Sequence, residues 1–168
     1  MTEEALPRSR SEPGTPGSES DRGPVHVAIV DGPIHLPGPG FAAGDPGPEG
    51  AGGILTFHGV VRGLEDGREI QGLTYETYDP MAGRMLGELA AEAVARFDLL
   101  GFRVTHSRGF VPVGEASLLV EAAGAHRAET LEAMAWYILR MKEDVPIWKK
   151  AVSAEDASGD ATGGGGET

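Results

Sequence analysis

At 168 residues, with 40% hydrophobic, 24% charged and 6% aromatic side chains, the chain has the length and composition of one globular domain. Fourteen Lys and Arg against 26 Asp and Glu leave a net charge of −12, which excludes a generally basic binder of nucleic acid or of a membrane surface. With no cysteine there is no disulfide, no thiolate-bound zinc and no thiol nucleophile, so any sulfur the protein handles must arrive on a partner.

Residues 1–24 are Ser, Glu, Pro, Gly and Arg with almost no large apolar side chain, and predict a disordered leader. They lack the basic start and apolar run of a secretory signal, and no transmembrane run follows, so the expected address is cytoplasmic. A folded domain is expected over 25–152. Residues 25–30 alternate as a short strand, and 33–50 form a Gly/Pro-rich loop. Residues 53–62 and 70–78 are β-rich and are separated by Gly63-Leu64-Glu65-Asp66-Gly67-Arg68, which predicts a hairpin. Residues 80–97 are rich in Ala, Leu and Glu behind a proline, a helix with Pro at its start. Strands are expected at 102–109 and 116–123, a second helix at 127–144, and a last short strand at 147–151 behind Pro146. Residues 153–168, acidic and ending in a tetraglycine before Glu167-Thr168, read as a loose tail. The order β, β, β, α, β, β, α, β predicts an α+β domain with both helices on one side of a mostly antiparallel sheet. The body is near neutral: 51–150 holds 11 basic and 14 acidic residues, so most of the negative charge lies outside it.

The three lysines are the most informative residues. The chain uses 11 Arg but only Lys142, Lys149 and Lys150. Arginine is a permanent charge, whereas lysine can give up its proton and act as base or nucleophile, so a lysine cluster in an arginine-preferring chain points to amine chemistry. Solvated lysines near a helix end would produce the same cluster. Leu131, Ala135, Ile138 and Lys142 recur at helical spacing, which places Lys142 at the edge of an inward stripe. In the strand that follows, Lys149 and Lys150 point to opposite faces, so one of them can share a pocket with Lys142, and Lys149 is the expected one. His126-Arg127 opens the second helix, where free N–H groups favour an anion such as phosphate, and Arg62 ends a strand before a Gly-rich turn. His26, His35, His58, His106 and His126 show no zinc spacing, so no metal site is expected.

In family order the chain carries Phe57-His58-Gly59-Val60-Val61-Arg62, Leu73-Thr74-Tyr75-Glu76-Thr77-Tyr78 with Met81-Ala82, Val113-Gly114-Glu115, Ala125-His126-Arg127, and Met141-Lys142 with Pro146-Ile147-Trp148-Lys149-Lys150. Together these resemble the catalytic (large) subunit of molybdopterin synthase, over about 25–151. The resemblance implies an α/β hammerhead fold and a homodimer of large subunits within a heterotetramer. A small ubiquitin-like sulfur carrier with a C-terminal Gly-Gly thiocarboxylate is the implied partner. The implied reaction converts cyclic pyranopterin monophosphate into molybdopterin by installing a dithiolene. No cofactor is implied, since the carrier brings the sulfur. Carried over, Lys142 is the principal catalytic lysine and Lys149 the second. Val60, Val61, Arg62, His126, Arg127, Lys150 and Ala151 complete the implied substrate site, with Arg62 able to reach across from the other subunit. Ala151 departs from the family, which often has an acidic residue there. A diverged homologue that docks the carrier without transferring sulfur is the alternative reading.

Overall fold

The computed structural model describes residues 25–35 and 47–153. The expected leader, most of the 33–50 loop and the tail from 154 lie outside the described residues. Ten elements follow in order: β1 (Val25–Asp31), β2 (Gly53–Val60), β3 (Leu64–Glu65), β4 (Arg68–Glu69), β5 (Gly72–Thr77), α1 (Met81–Phe97), β6 (Leu99–Pro112), β7 (Ala116–Gly124), α2 (Arg127–Asp144) and β8 (Ile147–Val152). The α+β class and the order of the main elements agree with the sequence.

The sheet runs β2-β7-β6-β5-β8, with every pairing antiparallel except that of β1 with β6. β6 organises it. Its first part pairs with β1 and β7, and its last four residues, Gly109 to Pro112, pair with β5. The change of partner occurs at Gly109, whose φ of 82° is a conformation that glycine adopts without a Cβ penalty. The strand expected at 102–109 is therefore longer, because its two ends serve different neighbours.

The hairpin expected between 53–62 and 70–78 does not form in that sense. β2 pairs with β7 and β5 with β6 and β8, so the two runs are not neighbours. The turn signal is real but local: Asp66 (φ 50°) and Gly67 (φ 77°) close the two-residue strands β3 and β4 into a small ribbon.

Both helices bury one stripe against the same face. From α1 come Ala82, Leu86, Leu89, Ala90 and Ala93, which join one core cluster with Phe102 and Val104 of β6 and Leu118, Val120 and Ala122 of β7, α1 lying over β6 and β1 and α2 over β7 and β2. α2 contributes Thr130, Ala133, Met134, Tyr137 and Met141. This is one position out of phase with the stripe expected from sequence: Leu131 is 54% exposed, and Ala135 and Lys142 are exposed as well. The helix carries apolar residues on both faces, and Tyr137 decides between them. Its ring lies 4.7 Å from that of Phe102, centroid to centroid, and its hydroxyl donates to the Leu86 carbonyl of α1 at 3.1 Å. Burial pushes the Tyr137 phenol well above its ordinary range. Among the described residues no helix is long and apolar enough to cross a membrane.

Candidate functional site

A cavity of about 550 Å³ opens where the end of β2, the β3–β4 ribbon, β5, the end of α2 and β8 converge. Val60, Val61 and Arg62 enter it from the end of β2 and the residues just after. α2 delivers Met141 and Lys142, and β8 delivers Ile147 and Lys149. The antiparallel register explains which lysine β8 contributes. Lys149 stands opposite Tyr75 of β5, which also lines the cavity, whereas Lys150 stands opposite Thr74 and belongs to the other face. Pro146 lets this happen by ending α2, so the chain turns back as a strand within a few residues of Lys142.

The walls are apolar and the rim is charged. Val61 is buried with Leu73 and Val111, while Val60 is 47% exposed. Arg62, Lys142 and Lys149 bring positive charge, and Glu65 of the ribbon is the one acid among the described residues lining the cavity. The Lys149 ammonium donates to Glu65 Oε1. That bond, with the Coulomb attraction of Lys149 and of Arg62 behind it, holds the Glu65 carboxyl below the usual carboxylate range despite some desolvation.

Deeper in, three groups are organised that sequence reasoning did not select. The Tyr75 hydroxyl donates to Ser117 Oγ at 2.8 Å, and Ser117 Oγ donates to the Gly59 carbonyl at 3.3 Å. His106 is 5% exposed, its Nδ1 lies 2.8 Å from the Ser107 carbonyl, and the Tyr75 ring stands edge-on to its imidazole. Nδ1–H donation to that carbonyl leaves Nε2 as the unprotonated nitrogen. Burial lowers the His106 pKa, opposed in part by the bond to Ser107. Tyr75 lay within a motif quoted from the sequence, but its place in the cavity comes from pairings with β6 and β8 that no local pattern reveals.

Of the residues expected from sequence, the cavity brings together Val60, Val61, Arg62, Lys142 and Lys149. Arg62 lines the cavity of its own chain. Ala151 shares the Lys149 face of β8 and pairs with Leu73, but neither it nor Lys150 lines the cavity. His126 and Arg127, both exposed, stand at the opposite end of α2, roughly 22 Å of helix rise from Lys142. Within one chain they do not meet the lysines. Neither residue caps the helix: His126 occupies the N-cap in an extended conformation without a side-chain bond.

Comparison with known proteins gives the fold a lineage. The MoaE protein family matches residues 41–144. The molybdopterin synthase catalytic subunit of Oryza sativa subsp. indica is 45% identical over 102 residues, covering 61% of this chain and 53% of that protein. The one from Pyrococcus abyssi is 39% identical over 104 residues, covering 62% of this chain and 70% of that protein. The chain thus spans about half the length of the plant proteins it matches. Among solved structures, molybdopterin synthase from Staphylococcus aureus superposes with a TM-score of 0.60 at 30% identity, over 64% of this chain and 78% of that one. The fold is shared with a complex of subunits 1 and 2 of molybdopterin-converting factor from Helicobacter pylori, at a TM-score of 0.57 and 22% identity over 77% of this chain and 90% of that one. With more than half of its residues inside the family match, the chain belongs to the MoaE protein family.

Proposed function

We propose that this chain is the catalytic subunit of a molybdopterin synthase. It would move sulfur from the C-terminal thiocarboxylate of a small ubiquitin-like carrier to cyclic pyranopterin monophosphate, forming the dithiolene of molybdopterin. The observation that carries the reading is the convergence of Lys142 and Lys149, with Arg62, on one cavity of an otherwise acidic protein. Carrier tail and phosphorylated pterin are both anions, and a local cationic pocket both attracts and orients them. The protein itself supplies no sulfur, having no cysteine, and no cofactor is invoked because the carrier brings what the reaction needs.

In this reading Lys142 handles protons as sulfur attacks the pterin side chain and oxygen leaves as water, a contribution typically worth ~10²–10⁴-fold. Lys149 and Arg62 hold the anionic ends, and Val60 and Val61 form the apolar wall against the pterin, while Lys150, on the other face of β8, and Ala151 stay outside the cavity. His126 and Arg127 belong to the same substrate site only if a second copy of the chain supplies them, since their own α2 holds them far from Lys142. The assembly is accordingly a homodimer of this chain with a carrier at each end, located in the cytoplasm. The Helicobacter pylori relative, solved as a complex of two subunits, is in keeping with a second protein.

The test is direct. Purified protein, thiocarboxylated carrier and cyclic pyranopterin monophosphate should yield the dithiolene, detected by mass spectrometry. Tight carrier binding without product would make the chain a docking module instead.

A further inference from the structure

The β3–β4 ribbon has no obvious role in the fold. Its base is anchored, with Ile70 packing on the Val61, Leu73 and Val111 cluster and its N–H donating to the Gly63 carbonyl at 3.1 Å. Its outer part is not: Leu64 is 57% exposed, and Asp66, Gly67, Arg68 and Glu69 are exposed. From this ribbon Glu65 turns inward, its side chain 19% exposed, and accepts from Lys149 of β8, 84 residues away. The ion pair therefore ties a weakly anchored ribbon to a cavity lysine. Its acid is the one carboxylate among the described residues of a cavity that otherwise presents Arg62, Lys142 and Lys149.

Resting on the reading above, we infer that Glu65 is the resident anion of the cavity, a positioning residue that holds Lys149 until the anionic end of the carrier tail takes its place and that returns to Lys149 to help expel the carboxylate product. The chemistry favours exchange over permanent pairing. The Lys149 side chain is 54% exposed, so an incoming anion can reach the ammonium without unfolding anything. With its lysine end open to solvent, the pair is screened by water and can be exchanged for another anion. A carboxylate-ended product, left beside three cations with no competing anion, would be held too tightly to turn over quickly. Glu65 supplies that competitor from the outer, exposed part of the ribbon. Like any glutamate not raised by burial it is charged at neutral pH, and the Lys149 bond holds its carboxyl lower still.

The experiment compares the full chain with Glu65→Gln, an isosteric change on an exposed ribbon that leaves the core untouched. Inorganic phosphate is titrated first and followed by NMR at the Lys149 side chain. Removing one negative charge beside the site should tighten phosphate binding by roughly three- to tenfold at low salt, and by less as salt screens it. The gain should vanish in a Glu65→Gln, Lys149→Gln double variant. Steady-state assay with thiocarboxylated carrier should then show KM for carrier and kcat falling together, as expected when binding tightens and release slows. Unchanged or weaker phosphate binding at Lys149, or a raised KM, would overturn the inference. Phosphate titration needs no turnover, so an inactive wild-type protein would count against the synthase reading and leave the charge exchange to be judged separately.

Discussion

Tyr75 and Ser117, 42 residues apart, are joined beneath the cavity by a 2.8 Å hydrogen bond from the phenol to Ser117 Oγ. Ser117 in turn donates a hydrogen bond to the Gly59 carbonyl, so one short chain of hydroxyls links β5, β7 and β2. Tyr75→Phe keeps the ring against His106 and removes only the phenol oxygen. It should cost about 1 kcal/mol, the net worth of an intramolecular hydrogen bond, in urea denaturation. Unchanged stability would mean that the bond does not help hold the three strands together.

His106 gives the fold a pH dependence with a definite sign. Burial lowers its folded-state pKa below the ordinary value of 6.5, so between the two values the unfolded chain carries the extra proton. Stability should fall as pH drops below about 6.5 and should be flat above it. His106→Gln should remove that part of the slope when denaturation midpoints are followed from pH 8 to pH 5. The carboxyls of Asp31 and Glu65, held low by Arg108 and Lys149, lose their contributions at still lower pH in both proteins alike. Parallel curves for the two proteins would show that the imidazole is not desolvated.

Gly52 is where the end of β7 and the start of α2 lean on the chain leading into β2. A Cβ there would come within 2.2 Å of the Ala125 carbonyl oxygen, while the Gly52 N–H already donates to the Gly124 carbonyl at 3.0 Å. Backbone on both sides leaves no flexible side chain to yield. Gly52→Ala should lose about 1–3 kcal/mol and displace the segment that carries His126 and Arg127. Calorimetry reads the first effect. A raised KM for the proposed pterin substrate, at a distance from Lys142, reads the second.

The division of the proposed substrate site between two copies can be tested by complementation. Lys142→Ala and Arg127→Ala proteins should each be strongly impaired alone. Unfolded together and refolded, they should recover up to roughly a quarter of wild-type activity, the share of sites that random pairing leaves intact. No recovery despite confirmed mixed dimers would mean that Lys142 and Arg127 act within one chain, and full activity of Arg127→Ala on its own would place Arg127 outside the site.

Much of this was legible in the chain itself, for local reasons. α2 runs from Arg127 to Asp144 as its periodicity and the Pro146 stop indicate, and strand alternation alone separates Lys149 from Lys150. The phase of α2 was not legible, because apolar residues sit on both faces and only the partner ring of Phe102, from a distant strand, selects Tyr137. The same limit hid the hand-over of β6 at Gly109 and the hairpin that stays local at Asp66-Gly67. Glu65, Tyr75 and His106 reach the cavity through long-range contacts, to Lys149, Ser117 and the Tyr75 ring. Each looks ordinary in its own neighbourhood of sequence.

The most direct test of the central claim is the mass of the carrier after a single incubation with the pterin substrate and this protein. With the wild-type chain the thiocarboxylate should be returned as carboxylate while dithiolene accumulates, and Lys142→Ala should slow both by ~10²–10⁴-fold. A Lys142→Ala protein that converts carrier and substrate at the wild-type rate would contradict the assignment of the chemistry to this cavity.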